Sequence, residues 1–181
     1  MDRKGDWAQI YSGGRFWPLD PKSEEVDIND IAHSLAFQCR FNGHCNSFYS
    51  IAQHSVFVSK IVPSAQALAA LLHDGGEAYT GDIVSPLKKC LPPEFKEIEK
   101  AIEKVIFEHF RIENVNHVEI KKADKIALFT EMRDLMNKPP AKWDDQDLFE
   151  PHPDKIVPLG PEEAEKEFLG RYKELTENKE E

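Results

Sequence analysis

Cysteine is scarce in this chain: three residues of 181, at Cys39, Cys45 and Cys90. They form neither an even set nor a Cys-x-x-Cys pair, which argues against a disulfide framework and leaves reduced, mostly buried thiols as the expectation. Long apolar runs are absent too. No stretch of 18 apolar residues is present, and Met1-Asp2-Arg3-Lys4-Gly5 leads into no apolar signal segment. A cytoplasmic protein without a membrane span is therefore expected. Basic residues are outnumbered, 23 against 33 acidic ones, for a formal net charge of −10. Coating DNA or an anionic membrane requires clustered Lys and Arg, so large nucleic acids and membranes are poor partners. A small polyanion held by a few local cations stays open. Residues 141–181 hold 13 acidic and 6 basic side chains, so most of the excess sits in the tail, where a solvated surface is expected.

What is present is globular composition, 40% hydrophobic and 31% charged. The length suits a single domain, 1–181, divided into a hairpin and lead-in (1–26), a helical core (27–138), and an acidic segment with a last helix (139–181). Ala8-Gln9-Ile10-Tyr11 and Arg15-Phe16-Trp17 flank Ser12-Gly13-Gly14, a hairpin pattern, and its Trp7, Phe16 and Trp17 are expected in the core. The signals are then helical. Asn29 is a candidate cap for a helix carrying Ile31, Leu35 and Cys39, and Gly43 interrupts it. Ser50 and Gln53 form a capping box. Pro63 stops that helix, and Ser64 is expected to cap the next. Its run Leu68-Ala69-Ala70-Leu71-Leu72 is apolar nearly all round, which suits the centre of a core. Pro93 starts a long amphipathic helix, Asn116 and Glu119 start another, and Pro161 starts the last. The stretch between, 141–160, is acidic and proline-rich and reads as irregular surface. The fold class expected is all-α, a helical bundle with a short N-terminal β-hairpin.

One doublet stands out against this pattern. His73-Asp74 ends the most apolar helix, where an unpaired ionised carboxylate costs several kcal/mol. A divalent cation would remove that cost, and imidazole with carboxylate suits a transition metal. Further ligands should then lie at similar depth on neighbouring helices. His54, beside apolar Ile51 and Val58, and Asp124, inside an amphipathic helix, meet that condition.

Taken in order, His54, His73-Asp74 and Asp124 resemble the H…HD…D pattern of the HD-domain metal-dependent phosphohydrolases. Ser50-Ile51-Ala52-Gln53-His54-Ser55 resembles that family's "VAEHS" segment, and residues 71–82 resemble the "LLHDxxExxxGD" segment of its 5′-deoxynucleotidase branch. Val84, Pro86 and Lys88 echo the "PxPxK" continuation. The likeness spans about 27–136, and a group of phage dATP triphosphohydrolases is similar in its short architecture. The resemblance implies an HD-domain helical bundle and a homo-oligomeric enzyme acting on deoxynucleotides, monophosphates or triphosphates. It implies a divalent ion (Co, Mn or Zn, with Mg as a further option) on His54, His73, Asp74 and Asp124. It further implies Glu77 as the catalytic glutamate that positions or deprotonates the attacking water, and Asp82 as a catalytic-site acid. Arg40 resembles the family's arginine-aromatic pair, with Phe41 as the aromatic, and a guanidinium fork suits phosphate oxygens. Lys88, 14 residues past Asp74, and Lys121, one helical turn before Asp124, are the remaining substrate-binding candidates. Gly75-Gly76 depart from the usual residues and should loosen the turn that places Glu77. Hydrolases of alarmones usually carry a Glu-Asp pair after the doublet, and those of cyclic dinucleotides a GYP signature; both are absent. The rival from another class is a non-catalytic nucleotide-binding metal module. His33 and His44 read as structural, and Trp17 as core.

Overall fold

Two short antiparallel strands open the chain in the computed structural model, which describes residues 3–177. β1 (Ala8–Gln9) pairs with β2 (Arg15–Phe16), Ala8 opposite Phe16 and Gln9 opposite Arg15. The helices follow: α1 (Ile28–Phe37), α2 (Ile51–Ile61), α3 (Ala67–Leu71), α4 (Glu77–Thr80), α5 (Ser85–Lys88), α6 (Pro93–His109), α7 (His117–Leu135) and α8 (Pro161–Glu177). The fold is all-α with one hairpin, as the sequence led us to expect. No helix of the described residues is long and apolar enough to cross a membrane.

The helix starts follow side-chain chemistry, with three corrections. Asp27, not Asn29, caps α1: its carboxylate accepts the Asn29 N–H at 2.7 Å, one residue ahead of the first helical position. Ser50 caps α2 by accepting the Gln53 N–H at 3.1 Å. The Gln53 amide does not return to Ser50. It donates to the Val157 carbonyl at 2.8 Å and accepts the Leu159 N–H at 3.0 Å, so half of the box is given up to a long-range tie. Ser64 caps nothing, because Ser64–Gln66 forms a 3-10 turn that feeds directly into α3. Asn116 caps α7 and Pro93 begins α6, both as expected.

The core forms where α8 packs across α1, α2 and α3, while α2 lies against α7. Phe16, Leu35, Ile51, Leu71, Leu72, Ile102, Ile106 and Phe168 meet there, each at 1% exposure or less. Burial of a side chain of this size stabilises by roughly 1.5–3 kcal/mol. Of the hairpin aromatics, Phe16 alone joins this core. Trp7 is 42% exposed beneath Arg15, and Trp17 lies under the Arg3 guanidinium. The thiols also depart from expectation, Cys39 and Cys45 being half-buried and Cys90 exposed. Residues 141–160 hold no regular element, yet they are fastened. Ile156 is buried with Tyr49 and Leu135, and Asp134 accepts the Ile156 N–H at 2.9 Å.

α3 stops at Leu71, and His73-Asp74-Gly75-Gly76 continues as tight turns into α4. The glycines do not loosen it. Gly75 N–H donates to the Leu72 carbonyl at 3.0 Å, and Glu77 N–H donates to the Asp74 carbonyl at 2.9 Å. A Cβ on Gly75 would stand 3.0 Å from the Leu72 oxygen and 3.4 Å from Ile106 Cδ1. On Gly76, whose backbone is ordinary right-handed helix, it would meet Ile102 Cγ2 at a comfortable 3.6 Å. Gly75→Ala is therefore expected to destabilise the fold by about 1–3 kcal/mol, while Gly76→Ala is neutral or stabilising by up to about 1 kcal/mol. Urea unfolding midpoints of the two variants check the contrast.

Candidate metal centre

Three segments converge at one end of the core. The chain between α1 and α2 doubles back: Cys39 bridges Ser50, Arg40 N–H donates to the Tyr49 carbonyl at 2.9 Å, and Ile51 N–H donates to Gln38 at 3.2 Å. That closure brings Arg40 beside the first turn of α2, which carries His54. Phe41 and Asn42 take left-handed conformations inside the loop (φ 55° and 51°). For a bulky residue such as Phe41 this stores strain on the order of 1–3 kcal/mol. The second segment is the turn holding His73 and Asp74. The third is α7, whose buried face carries Asp124.

His54 is fully buried and His73 largely so. The two rings lie 5.5 Å apart. His73 Nδ1 donates to the Ala70 carbonyl at 2.7 Å, which leaves the Nε2 lone pair pointing into the centre. His54 Nδ1 bonds a Glu131 carboxylate oxygen at 2.5 Å, with its own Nε2 directed the same way. Both Nε2 atoms are buried and make no hydrogen bond. Ligand atoms of His54, His73 and Asp124 all lie within 4.8 Å of one another, a group that could hold a metal ion. The Asp74 carboxylate sits over both rings, 3.3 Å from His73 Nε2 and 3.5 Å from His54 Nε2. Two orphaned imidazole nitrogens facing two carboxylates fit a divalent transition metal by donor type and by unmet bonding need.

The charges interact strongly. Burial and the Arg40 charge depress the His54 pKa, but the Glu131 charge and the contacts with Asp124 and Glu131 override them and push it up to about 9. Burial alone would raise Asp124. Contact with His54, and the charges of His54, His73 and Arg40, hold it well below the usual carboxylate range instead. Arg40 stays charged in spite of burial because Glu131, Asp74, Asp124 and Asp82 surround it. Glu77 is pushed up to about 9, by burial first and then by Asp74 and Asp82.

The other expected residues fall in different places. Glu77 begins α4 with its Oε2 buried and unpartnered. With His73, Asp74 and Lys88 it lines a cavity of about 220 Å³ beside the centre. Lys88 forms an ion pair at 2.6 Å with Glu99, which also lines that cavity. Asp82 is half-buried just after Gly81, whose φ of 80° turns the chain back toward Arg40. Arg40 lies 3.6 Å from Asp74 and over the Phe41 ring, which in turn faces Trp143 at 6.4 Å. Lys121 is not brought to the centre. It is exposed on the first turns of α7 and has no ion pair among the described residues. His44 is exposed, and His33 is stacked between Tyr11 and Phe37 with its Nδ1 on Glu165.

Glu131 is the residue that sequence reasoning missed. It is fully buried, bonded to His54 and paired with Arg40 at 3.3 Å. Its signal was the spacing from Asp124: seven residues, two helical turns, put both acids on one face of α7.

No family model matches the chain. It is 40% identical over 175 residues to the uncharacterized protein YfdR of Escherichia coli, which covers 94% of this chain and 96% of that protein. Two 5′-deoxynucleotidases are similar over part of their length. That of Vibrio cholerae is 33% identical over 91 residues, 49% of this chain and 43% of its own. That of Vibrio parahaemolyticus is 28% identical over 131 residues, 62% and 64% respectively.

His54 and Glu77 both bind their protons more tightly in the fold than in the open chain. Metal-free protein should accordingly lose stability as pH rises through the intervals from their ordinary values, 6.5 and 4.5, to about 9. A cation competes with the His54 proton, so its affinity should climb with pH up to about 9, approaching tenfold per unit. The melting temperature with chelator should fall across that range, while the increment that Co2+ adds to it grows.

Proposed function

The chain belongs to the protein family that includes YfdR, and we propose that it is a metal-dependent phosphohydrolase acting on deoxynucleotides. The observation that carries this reading is the convergence of two buried, unpartnered imidazole nitrogens and the Asp124 carboxylate within 4.8 Å, next to a cavity that holds Glu77. The partial likeness to two 5′-deoxynucleotidases supports the substrate class and an HD-type assignment.

His54, His73, Asp74 and Asp124 would hold the ion. When bound, a divalent cation supplies Lewis-acid polarisation of the phosphoryl group and eases ionisation of water. The chain's own residues supply the rest. Arg40, charged and held by Glu131 and Asp74, offers a guanidinium edge to phosphate oxygens. Glu77 Oε2, buried and without a partner, is placed to hold the attacking water and take its proton. Burial and Asp74 raise its basicity for that task, while positive charge from a bound cation acts in the other direction. Asp82 adds negative charge beside Glu77 and Arg40. Lys88, which lines the cavity, provides a second cation for a phosphate or a leaving polyphosphate, and Phe41, beside the Arg40 guanidinium, an aromatic surface for the base.

A panel of deoxynucleoside mono- and triphosphates and their ribose counterparts, assayed with Co2+, Mn2+ or Zn2+, tests the proposal. Turnover should vanish with chelator and return on adding back the ion. Glu77→Gln should lower kcat by roughly 10²–10⁴-fold with metal content unchanged. A protein equally active after Glu77→Gln, or one that binds metal and nucleotide without turnover, would sink the catalytic reading in favour of a binding module.

A further inference from the structure

We propose that Glu131 is a positioning residue that couples the metal centre to the phosphate-binding arginine, one carboxylate oxygen serving each. The inference rests on the phosphohydrolase reading above and names a part of its machinery that the sequence pattern does not contain.

Glu131 is at 0% exposure, the deepest acid at this end of the molecule. A carboxylate taken that far from water must be paired to remain ionised. Oε1 accepts from His54 Nδ1 at 2.5 Å, and Oε2 faces Arg40 Nε at 3.3 Å. Each partner turns its other end to the reaction space. His54 Nε2 is 3.3 Å from Asp124 and 3.5 Å from Asp74, and Arg40 Nη1 is 3.6 Å from Asp74. The four side chains form a closed circuit, His54 to Glu131 to Arg40 to Asp74 and back to His54.

A purely structural counter-ion would need Arg40 alone. The short bond to His54 gives Glu131 a second task, fixing the imidazole so that Nε2 carries the lone pair and aims it inward. The two tasks are linked. Asp74 balances both the imidazoles and Arg40, so an Asp74 committed to a cation balances Arg40 less. The guanidinium then stays in place through the charge of Glu131, whose Oε2 lies 3.3 Å from Nε without a hydrogen bond between them, with its Nη edge available to an anion. Metal occupancy and phosphate affinity are thereby joined through one buried carboxylate.

A double-mutant cycle on the intact protein separates this from general structural support. Glu131→Gln keeps the volume, removes the charge facing Arg40 and weakens the acceptor for His54. Co2+ affinity is read from the visible absorption of the bound ion, and inorganic phosphate affinity of the Co2+-loaded protein by calorimetry. Glu131→Gln should weaken Co2+ binding about tenfold or more, in the wild-type and Arg40→Gln backgrounds alike. It should weaken phosphate binding about tenfold in the wild-type background and add nothing once Arg40 is gone. A phosphate loss that persists undiminished in the Arg40→Gln background, or an unchanged Co2+ affinity, overturns the proposal. If Glu131→Gln does not fold, Glu131→Asp, which keeps the charge but shortens the reach, must weaken both ligands; an Asp variant indistinguishable from wild type overturns it. Wild-type protein that takes up no Co2+ overturns the phosphohydrolase reading and this coupling together, whereas normal uptake with an indifferent Glu131 overturns the coupling alone.

Discussion

Negative charge gathered about a buried imidazole is the constraint around which this end of the molecule is arranged. Asp74, Asp124 and Glu131 gather about an imidazole at 0% exposure, with one buried arginine to oppose them. Such a cluster is tolerable only if every carboxylate has a positive or proton-donating neighbour. The backbone is shaped accordingly. A bridge between Cys39 and Ser50 folds the loop so that Arg40 arrives at α2, and strained left-handed residues at Phe41 and Asn42 accept the cost of the reversal. A close approach at Gly75 keeps His73 and Asp74 on adjacent turns, where consecutive residues face one centre rather than diverging around a helix.

Much of this was legible in the sequence because it depends on local chemistry. Periodic apolar residues marked α2, α6, α7 and α8, and the cap at Ser50 and the proline at Pro93 marked their starts. The histidines and acids drew notice because polar groups interrupted apolar runs. What stayed hidden depends on contacts distant in sequence. Gln53 looked like the second half of a capping box, and its amide instead serves residues 104 and 106 positions away. Glu131 drew no notice: its seven-residue spacing from Asp124 puts it on the same face of α7, but the partner that gives it a task, His54, lies 77 residues earlier. Lys121 shows the reverse: one turn from Asp124 in spacing, it is exposed on α7, while Asp124 is part of the group around His54. Gly75-Gly76 misled because flexibility in an open chain says nothing about how closely the surrounding atoms press on a turn.

The substrate reading and the charge distribution are compatible. Among the described residues, none of the acidic side chains of the segment after α7 or of α8 lines the cavity that holds Glu77 and Lys88. A free nucleotide reaching that cavity meets a local balance of charge that the whole-chain value of −10 conceals.

The bonds from Gln53 to Val157 and Leu159 also fix an order of events during folding. Gln53 is the immediate neighbour of His54, and its partners lie more than a hundred residues later, on the segment leading into α8. Every side chain of the centre, from Arg40 to Glu131, has left the ribosome before that fastening exists. Closing so long a loop is entropically slow. The nascent chain therefore passes through an interval in which its charged centre is complete in composition but unfastened in shape, until Val157 and Leu159 arrive to lock the first turn of α2.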